Sequence, residues 1–329
     1  MSRYDDIQRR RLMKRRRRRT LLVALLLLLI GGIGYGAYTS FDFLSSLTNI
    51  YSGAQREKSK LRTESVEITK KPFSVLIMGV ENYAGGEKGR TDSIMFAVIN
   101  PTTKQVKLLS IPRDTRVMLP GRTEASKINA AHAIGGESMT INAVEDLLKV
   151  PVDHYVKLDF EGFKQIVDAV GGVEVDIPFD FEEHSDVDYG KMISFKKGRH
   201  TLNGEEALAY VRMRKQDPLG DHGRTQRQRQ VLAAVVHKMN SPSVVPRINK
   251  IAKAVGNAVK TDIPLTDGLA LYNKLSGLDT SAMQTVTLEG EDKRVGGLFY
   301  FLPSAESQKK VHDELWSALE MPEAAATKP

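Results

Sequence analysis

Residues 73–80 read Phe-Ser-Val-Leu-Ile-Met-Gly-Val, directly after Pro72. A continuous apolar run of this length suits a strand at the centre of a sheet, buried on both faces. Two further runs follow, Ile94 to Ile99 and Val106 to Ile111, joined by Asn100-Pro101-Thr102-Thr103. The Asn-Pro turn and the short spacing predict a hairpin.

Working outward, helical patterns cover Ile128 to Ile134 and Met139 to Leu148. A strand is expected at His154 to Leu158, a helix at Phe160 to Val170 stopped by Gly171-Gly172, and a strand at Val173 to Ile177. Helices are expected from Asn203 to Tyr210, Thr225 to Met239, Ile248 to Val259, Thr266 to Leu275 and Ser304 to Leu319. Thr285 to Leu288 and Leu298 to Phe301 complete the strands. Mixed hairpins and strand–helix alternation imply an α/β fold: a central mixed sheet sandwiched by helices, α-β-α. Residues 72–320 read as one domain and 321–329 as a flexible tail.

The chain of 329 residues has a net charge of +8 and no cysteine. Disulfide scaffolds, thiolate metal sites and cysteine nucleophiles are therefore excluded. Residues 1–20 hold ten Lys or Arg and two Asp; without them the rest has 38 basic and 38 acidic side chains. The basicity is a tail, which argues against nucleic acid as a partner.

Leu21 to Phe41 contains no charged residue, and its first ten residues are mostly leucine. As a helix it rises about 31 Å, enough to cross a hydrocarbon core of ~30 Å. The arginines before it should stay inside, which predicts a single-pass plasma-membrane protein with a cytoplasmic N-terminus. A cleaved signal peptide is the rival, but its apolar region would be shorter. The expected order is a cytoplasmic tail at 1–20, an anchor at 21–41, a polar stalk at 42–71 and an extracellular domain.

Four polar segments interrupt the hydrophobic pattern. Gly79-Val80-Glu81-Asn82 through Gly89-Arg90-Thr91-Asp92-Ser93 closes the first strand, where two acids can converge on a hard cation beside Arg90. It is not a phosphate-binding P-loop, because a strand rather than a helix follows. Ser110-Ile111-Pro112-Arg113-Asp114-Thr115 sets a guanidinium after a φ-fixing proline. Taken singly, the first segment reads as an ordinary surface hairpin loop sooner than as a site, and the second is equally a capping salt bridge.

Tyr210-Val211-Arg212-Met213-Arg214-Lys215 puts Arg212 and Arg214 on one face only if the chain there is extended. In Asp221 through Arg229, Asp221 can start a helix, and Arg224 and Gln228 lie one turn apart. Six Lys or Arg and two acids fall between Arg212 and Arg229. Arginine's fork suits phosphate. The seven histidines show no metal spacing, and no G-x-S-x-G elbow occurs.

These segments, with Lys127-Ile128-Asn129-Ala130, Gly135-Gly136 and Val170-Gly171-Gly172-Val173, resemble the LytR–CpsA–Psr family, most closely its teichoic-acid transferase branch. The resemblance runs from about Phe73 to Met239 with the motifs in order. It implies a phosphotransferase that moves an anionic glycopolymer from an undecaprenyl-diphosphate carrier in the membrane lipid to a peptidoglycan hydroxyl. On that resemblance Arg90, Arg113, Arg212, Arg214, Arg224 and Gln228 bind the diphosphate, with Arg113 also catalytic. Asp92 holds Mg2+ or Mn2+ and serves catalysis. The family's second metal-binding aspartate is replaced here by Glu81 or Asn82, of which Glu81 offers the carboxylate magnesium prefers. Asp221 matches either a general base or a residue that orients Arg212 or Arg224. The alternative function is a non-catalytic membrane-bound module that captures lipid diphosphates, or a cell-envelope regulator.

Overall fold

The computed structural model of the chain describes residues 58–81, 89–188, 190–239, 254, 259–275 and 283–322. The first elements are β1 (Phe73–Val80), β2 (Thr91–Asn100), β3 (Gln105–Ser110), β4 (Arg116–Met118), β5 (Ala125–Lys127), α1 (Ala130–Leu148) and β6 (His154–Asp159). There follow α2 (Phe160–Val170), β7 (Val173–Ile177), β8 (Phe181–His184), β9 (Met192–Phe195), β10 (Gly198–Leu202), α3 (Gly204–Arg212) and α4 (Asp221–Met239). The last are β11 (Val259–Thr261), α5 (Leu265–Leu275), β12 (Met283–Val286), β13 (Gly290–Val295), β14 (Leu298–Pro303) and α6 (Ala305–Ala318). The fold is α/β with a central mixed sheet. The described residues divide into two compact units, one within 58–159, 260–263 and 284–322, the other within 160–259 and 264–283.

The first unit is built on the six-stranded sheet, in the order β11-β6-β1-β2-β3-β12. β1 runs antiparallel to β2 and parallel to β6, and β2 runs antiparallel to β3. β1 is buried on both faces, as its unbroken apolar run requires. Leu76, Met78, Phe96, Val98 and Leu109 pack with Val144 and Leu148 of α1 and Val311 and Leu315 of α6 in one core. Each such side chain contributes about 1.5–3 kcal/mol on burial. The β2–β3 turn forms as expected: Asn100 Oδ1 accepts the N–H groups of Thr102 and Thr103 at 2.9 and 3.0 Å. The helical patterns read at 128–134 and 139–148 fall in α1 from Ala130 onward, two residues later than the first was read, and the helix breaks between them at Gly135 and Gly136 (φ 66°).

Only residues 58–71 of the expected stalk are described, and they pack onto this unit. Ser59 Oγ donates to buried Glu145 at 2.5 Å, Arg62 pairs with Asp153 at 2.7 Å, and Ile68 is buried. No helix among the described residues is long and apolar enough to cross a membrane. The tail at 1–20 and the anchor at 21–41 lie outside the described residues, as do 42–57, Asn82 and 323–329.

In the second unit, α2 buries Ile166, Val167, Ala169 and Val170 and ends at Gly171 and Gly172, both at positive φ. β7 pairs antiparallel with β10, and β8 with β9. Asn203 and Glu206 form a reciprocal capping box that starts α3. Phe181, Phe195 and Tyr210 stack behind it.

Several expectations shift. α4 begins at Asp221 rather than Thr225, and the strand read at 285–288 is β12 at Met283–Val286. Val259 opens β11 instead of ending a helix. Apart from helical Ala254, the rest of the helix read over 248–259 lies outside the described residues. β4, β5, β8, β9, β10 and β13 were not anticipated. They are three to six residues long with little apolar alternation; Gly290–Val295 is almost wholly exposed.

Candidate functional site

Gly79 pairs with Ser93 and Val80 with Thr91, so Asp92 has no partner across the ladder. This is a β-bulge, a device that re-aims a side chain at a strand end. Beyond it the Glu81 N–H donates to the Arg90 carbonyl at 2.9 Å. A side chain at Gly89 would overlap the Glu81 carbonyl oxygen, so glycine permits this close crossing.

The Asp92 carboxylate accepts a 2.5 Å bond from Arg113, with side-chain exposures of 15% and 22%. Half-covered charges attract more strongly than exposed ones, yet water and ligand can still reach them. Arg113 also lies 4.0 Å from Asp114, which pairs with Lys127 at 2.7 Å. Three sequence motifs meet here through Asn129. Its N–H donates to the Arg113 carbonyl, and its carbonyl accepts from the Thr91 N–H, both at 3.2 Å. Buried His132 joins the cluster through Nδ1, 2.7 Å from the Gly89 carbonyl. Arg90 is exposed. Thus the first unit brings together Glu81, Arg90, Asp92 and Arg113 at one end of the sheet.

The second unit holds the other predicted residues. Arg212 is the last residue of α3, and the chain leaves the helix at Met213 (ψ 132°) in extended conformation. Arg212 pairs with Asp186 at 2.8 Å, and its guanidinium lies 5.4 Å over the Phe160 ring. Asp186 also takes Lys164 at 3.1 Å, while Lys164 reaches Glu161 at 2.9 Å. Burial opposes the Lys164 charge, but the bonds to Glu161 and Asp186 outweigh it and hold the pKa above the ordinary lysine value. Asp221 binds Arg224 at 2.9 Å through Oδ1 and 3.0 Å through Oδ2, with the Arg224 side chain 6% exposed. Of the two arginines that Asp221 was expected to orient, it holds Arg224, and Asp186 holds Arg212. Arg214 and Gln228 are half-buried.

Sequence reading missed Asp186 and Lys164 as parts of this group. Asp186 sits in an acid-rich stretch with no motif, and Lys164 lies on the polar face of α2.

Among the described residues no group of three or more His, Asp or Glu is placed to hold a metal. Glu81 and Asp92, on adjoining strand ends, are hard oxygen donors of the kind that bind magnesium when water and substrate phosphates supply the other ligands. The donor set fits the cation in that form.

The chain is 47% identical over 294 residues to the polyisoprenyl-teichoic acid–peptidoglycan teichoic acid transferase TagV of Bacillus subtilis (strain 168), covering 88% of this chain and 75% of that one. It is 38% identical over 288 residues to the transferase TagU of Bacillus licheniformis, covering 87% and 90%. The crystal structure of B. subtilis TagV superposes with a TM-score of 0.68 at 47% identity, over 77% of this chain and 99% of that one. A structure of TagT bound to LI-WTA matches at a TM-score of 0.67 and 33% identity, over 82% and 99%. The LytR_cpsA_psr pattern spans residues 38–317, most of the sequence. With its motifs in order along that span and its strand-end geometry built from them, the chain belongs to the LytR_cpsA_psr family.

Proposed function

We propose that this protein is a glycopolymer–peptidoglycan phosphotransferase, moving a teichoic acid from an undecaprenyl-diphosphate carrier onto peptidoglycan. The observation that carries this reading is the bulged Asp92 bonded to Arg113 at the sheet end. It is an acid and a guanidinium, held by backbone and half-open to ligand. The names of the relatives, teichoic acid transferases, agree with it.

In the proposed reaction a peptidoglycan hydroxyl attacks the polymer-side phosphorus of the diphosphate. A new P–O bond forms, the bridging P–O bond breaks, and the carrier leaves as a monophosphate. Little covalent help is needed from the protein; positioning and charge stabilisation dominate such transfers. Arg90, Arg113, Arg212, Arg214, Arg224 and Gln228 are assigned to hold the diphosphate oxygens. Asp221 is assigned to receive the hydroxyl proton, its carboxylate kept in place by Arg224. Asp92 and Glu81 would hold Mg2+ or Mn2+, which would neutralise charge on the diphosphate as the carrier phosphate leaves. The proposal includes the single-pass anchor at 21–41, with the transferase facing outward.

The test uses the full-length protein in detergent with a lipid-diphosphate-linked disaccharide and peptidoglycan fragments, following the phosphodiester product. Asp92→Ala and Arg113→Ala should each lower turnover about 100-fold or more. Tight capture of the lipid with no product under any acceptor or metal would identify a binding module instead.

A further inference from the structure

Arg227 lies on α4 one residue before Gln228, but its guanidinium turns inward and is 3% exposed. Nε donates to the Tyr210 carbonyl at 2.9 Å, and a terminal nitrogen donates to the Met213 carbonyl. The other terminal nitrogen pairs with the Asp217 carboxylate, also 3% exposed. Tyr210 and Met213 sit at the end of α3, where carbonyls have no further helical N–H to receive. A buried cation suits that end of a helix dipole. The rings of Phe181 and Tyr210 flank the guanidinium at 5.9 and 5.8 Å.

Asp217 is tied in turn to the same segment. Its N–H donates to the Arg214 carbonyl at 3.2 Å, and its Oδ1 accepts from the Leu219 N–H at 2.7 Å. A side chain on Gly223 would collide with the Asp217 carboxylate. One guanidinium therefore grips the backbone on both sides of Arg212, and its counter-ion grips the backbone at Arg214. A buried ion pair adds little net stability compared with an apolar replacement. Its fixed fork does hold several carbonyls in one geometry, which lysine cannot match.

We propose that Arg227 and Asp217 are positioning residues for diphosphate binding, fixing the backbone that aims Arg212 and Arg214 without touching substrate. This rests on the diphosphate reading above.

The test measures binding of undecaprenyl diphosphate to the full-length protein in detergent, with circular dichroism and melting temperature alongside. Arg227→Lys should remain folded and bind about 10- to 100-fold more weakly, as expected for sub-ångström to ångström misplacement of ligand-holding groups. Asp217→Asn, milder because the backbone bonds of Arg227 stay, should weaken binding about 3- to 10-fold. In an Arg212→Ala/Arg214→Ala background the Arg227→Lys effect on binding should vanish, since it acts through those arginines. A purely structural role would lower the melting temperature and the active fraction while leaving Kd unchanged, and would persist in that background. Either result overturns the proposal. If Arg227→Lys fails to fold, Asp217→Asn alone decides by its Kd. Failure of the wild type to bind the probe would instead refute the diphosphate reading itself.

Discussion

At the β1–β2 bulge, Asp92 leaves the ladder and turns its carboxylate to Arg113. Both residues were legible in the sequence as members of separate motifs, but their pairing was not, because it depends on an extra residue in one strand. Arg113→Lys keeps the charge and loses the fork. Transfer should fall about tenfold, with little change in melting temperature, as activity and thermal scans would report. Tyr210 makes a prediction of another kind. Burial pushes its phenol up to about 12, opposed by Arg227 and assisted by Asp176 and Asp217. In the unfolded chain the group titrates near 10, so between about pH 10 and 12 the folded state retains a proton that the unfolded state has lost. Stability therefore falls as pH rises through that range. Tyr210→Phe should flatten this alkaline decline. It should also cost about 1 kcal/mol at neutral pH through the lost 2.6 Å bond to Gln230, measured by denaturant titration at both pH values.

Among the elements, β1, β2, β3, α2 and α6 were readable because each has one strong period or one unbroken apolar run. The short polar strands were not: Glu291 to Arg294 are charged and exposed, and pair as β13 only because β14 lies alongside. α1 shows how a local signal carries through. Two helical patterns flank Gly135-Gly136, and Gly136 adopts φ 66° with ψ −155°, a conformation nearly closed to other residues. Gly136→Ala should destabilise by roughly 1–3 kcal/mol. Beyond its own chain neighbours and helix backbone the added methyl meets nothing within 4 Å, so the effect would be backbone strain rather than a packing clash. Urea unfolding of the variant measures it.

For the whole molecule, the segment before the sheet is part of the packed structure from residue 58 onward. Arg62 and Asp153 form a largely buried pair, with side-chain exposures of 11% and 5%, and Asp153 also accepts the Ser74 N–H at 2.9 Å. Arg62→Ala leaves that carboxylate buried without its cation and should cost about 3–5 kcal/mol, seen as a lower melting temperature. Removal of divalent metal by chelation should abolish transfer by the full-length enzyme, with Mg2+ or Mn2+ restoring it. The melting temperature should hardly move, because the sheet and its helices are held by an apolar core.

The amino-acid sequence by itself determined the α/β class, the buried central strands, the hydrophobic segment with its basic flank, and the residue types of the proposed anion site. Each of these follows from local periodicity, charge or motif spacing. Only the tertiary structure decided who pairs with whom: Asp92 with Arg113, Asp186 with Arg212, Asp221 with Arg224, and Asp217 with Arg227. Some of these partners lie close in the chain and others do not, yet every pairing is set by a bulge, a helix end or a turn. Asp221 and Arg224 meet across one helical turn, whereas the other pairings arise when separate segments pack, and a one-dimensional pattern does not encode their directions.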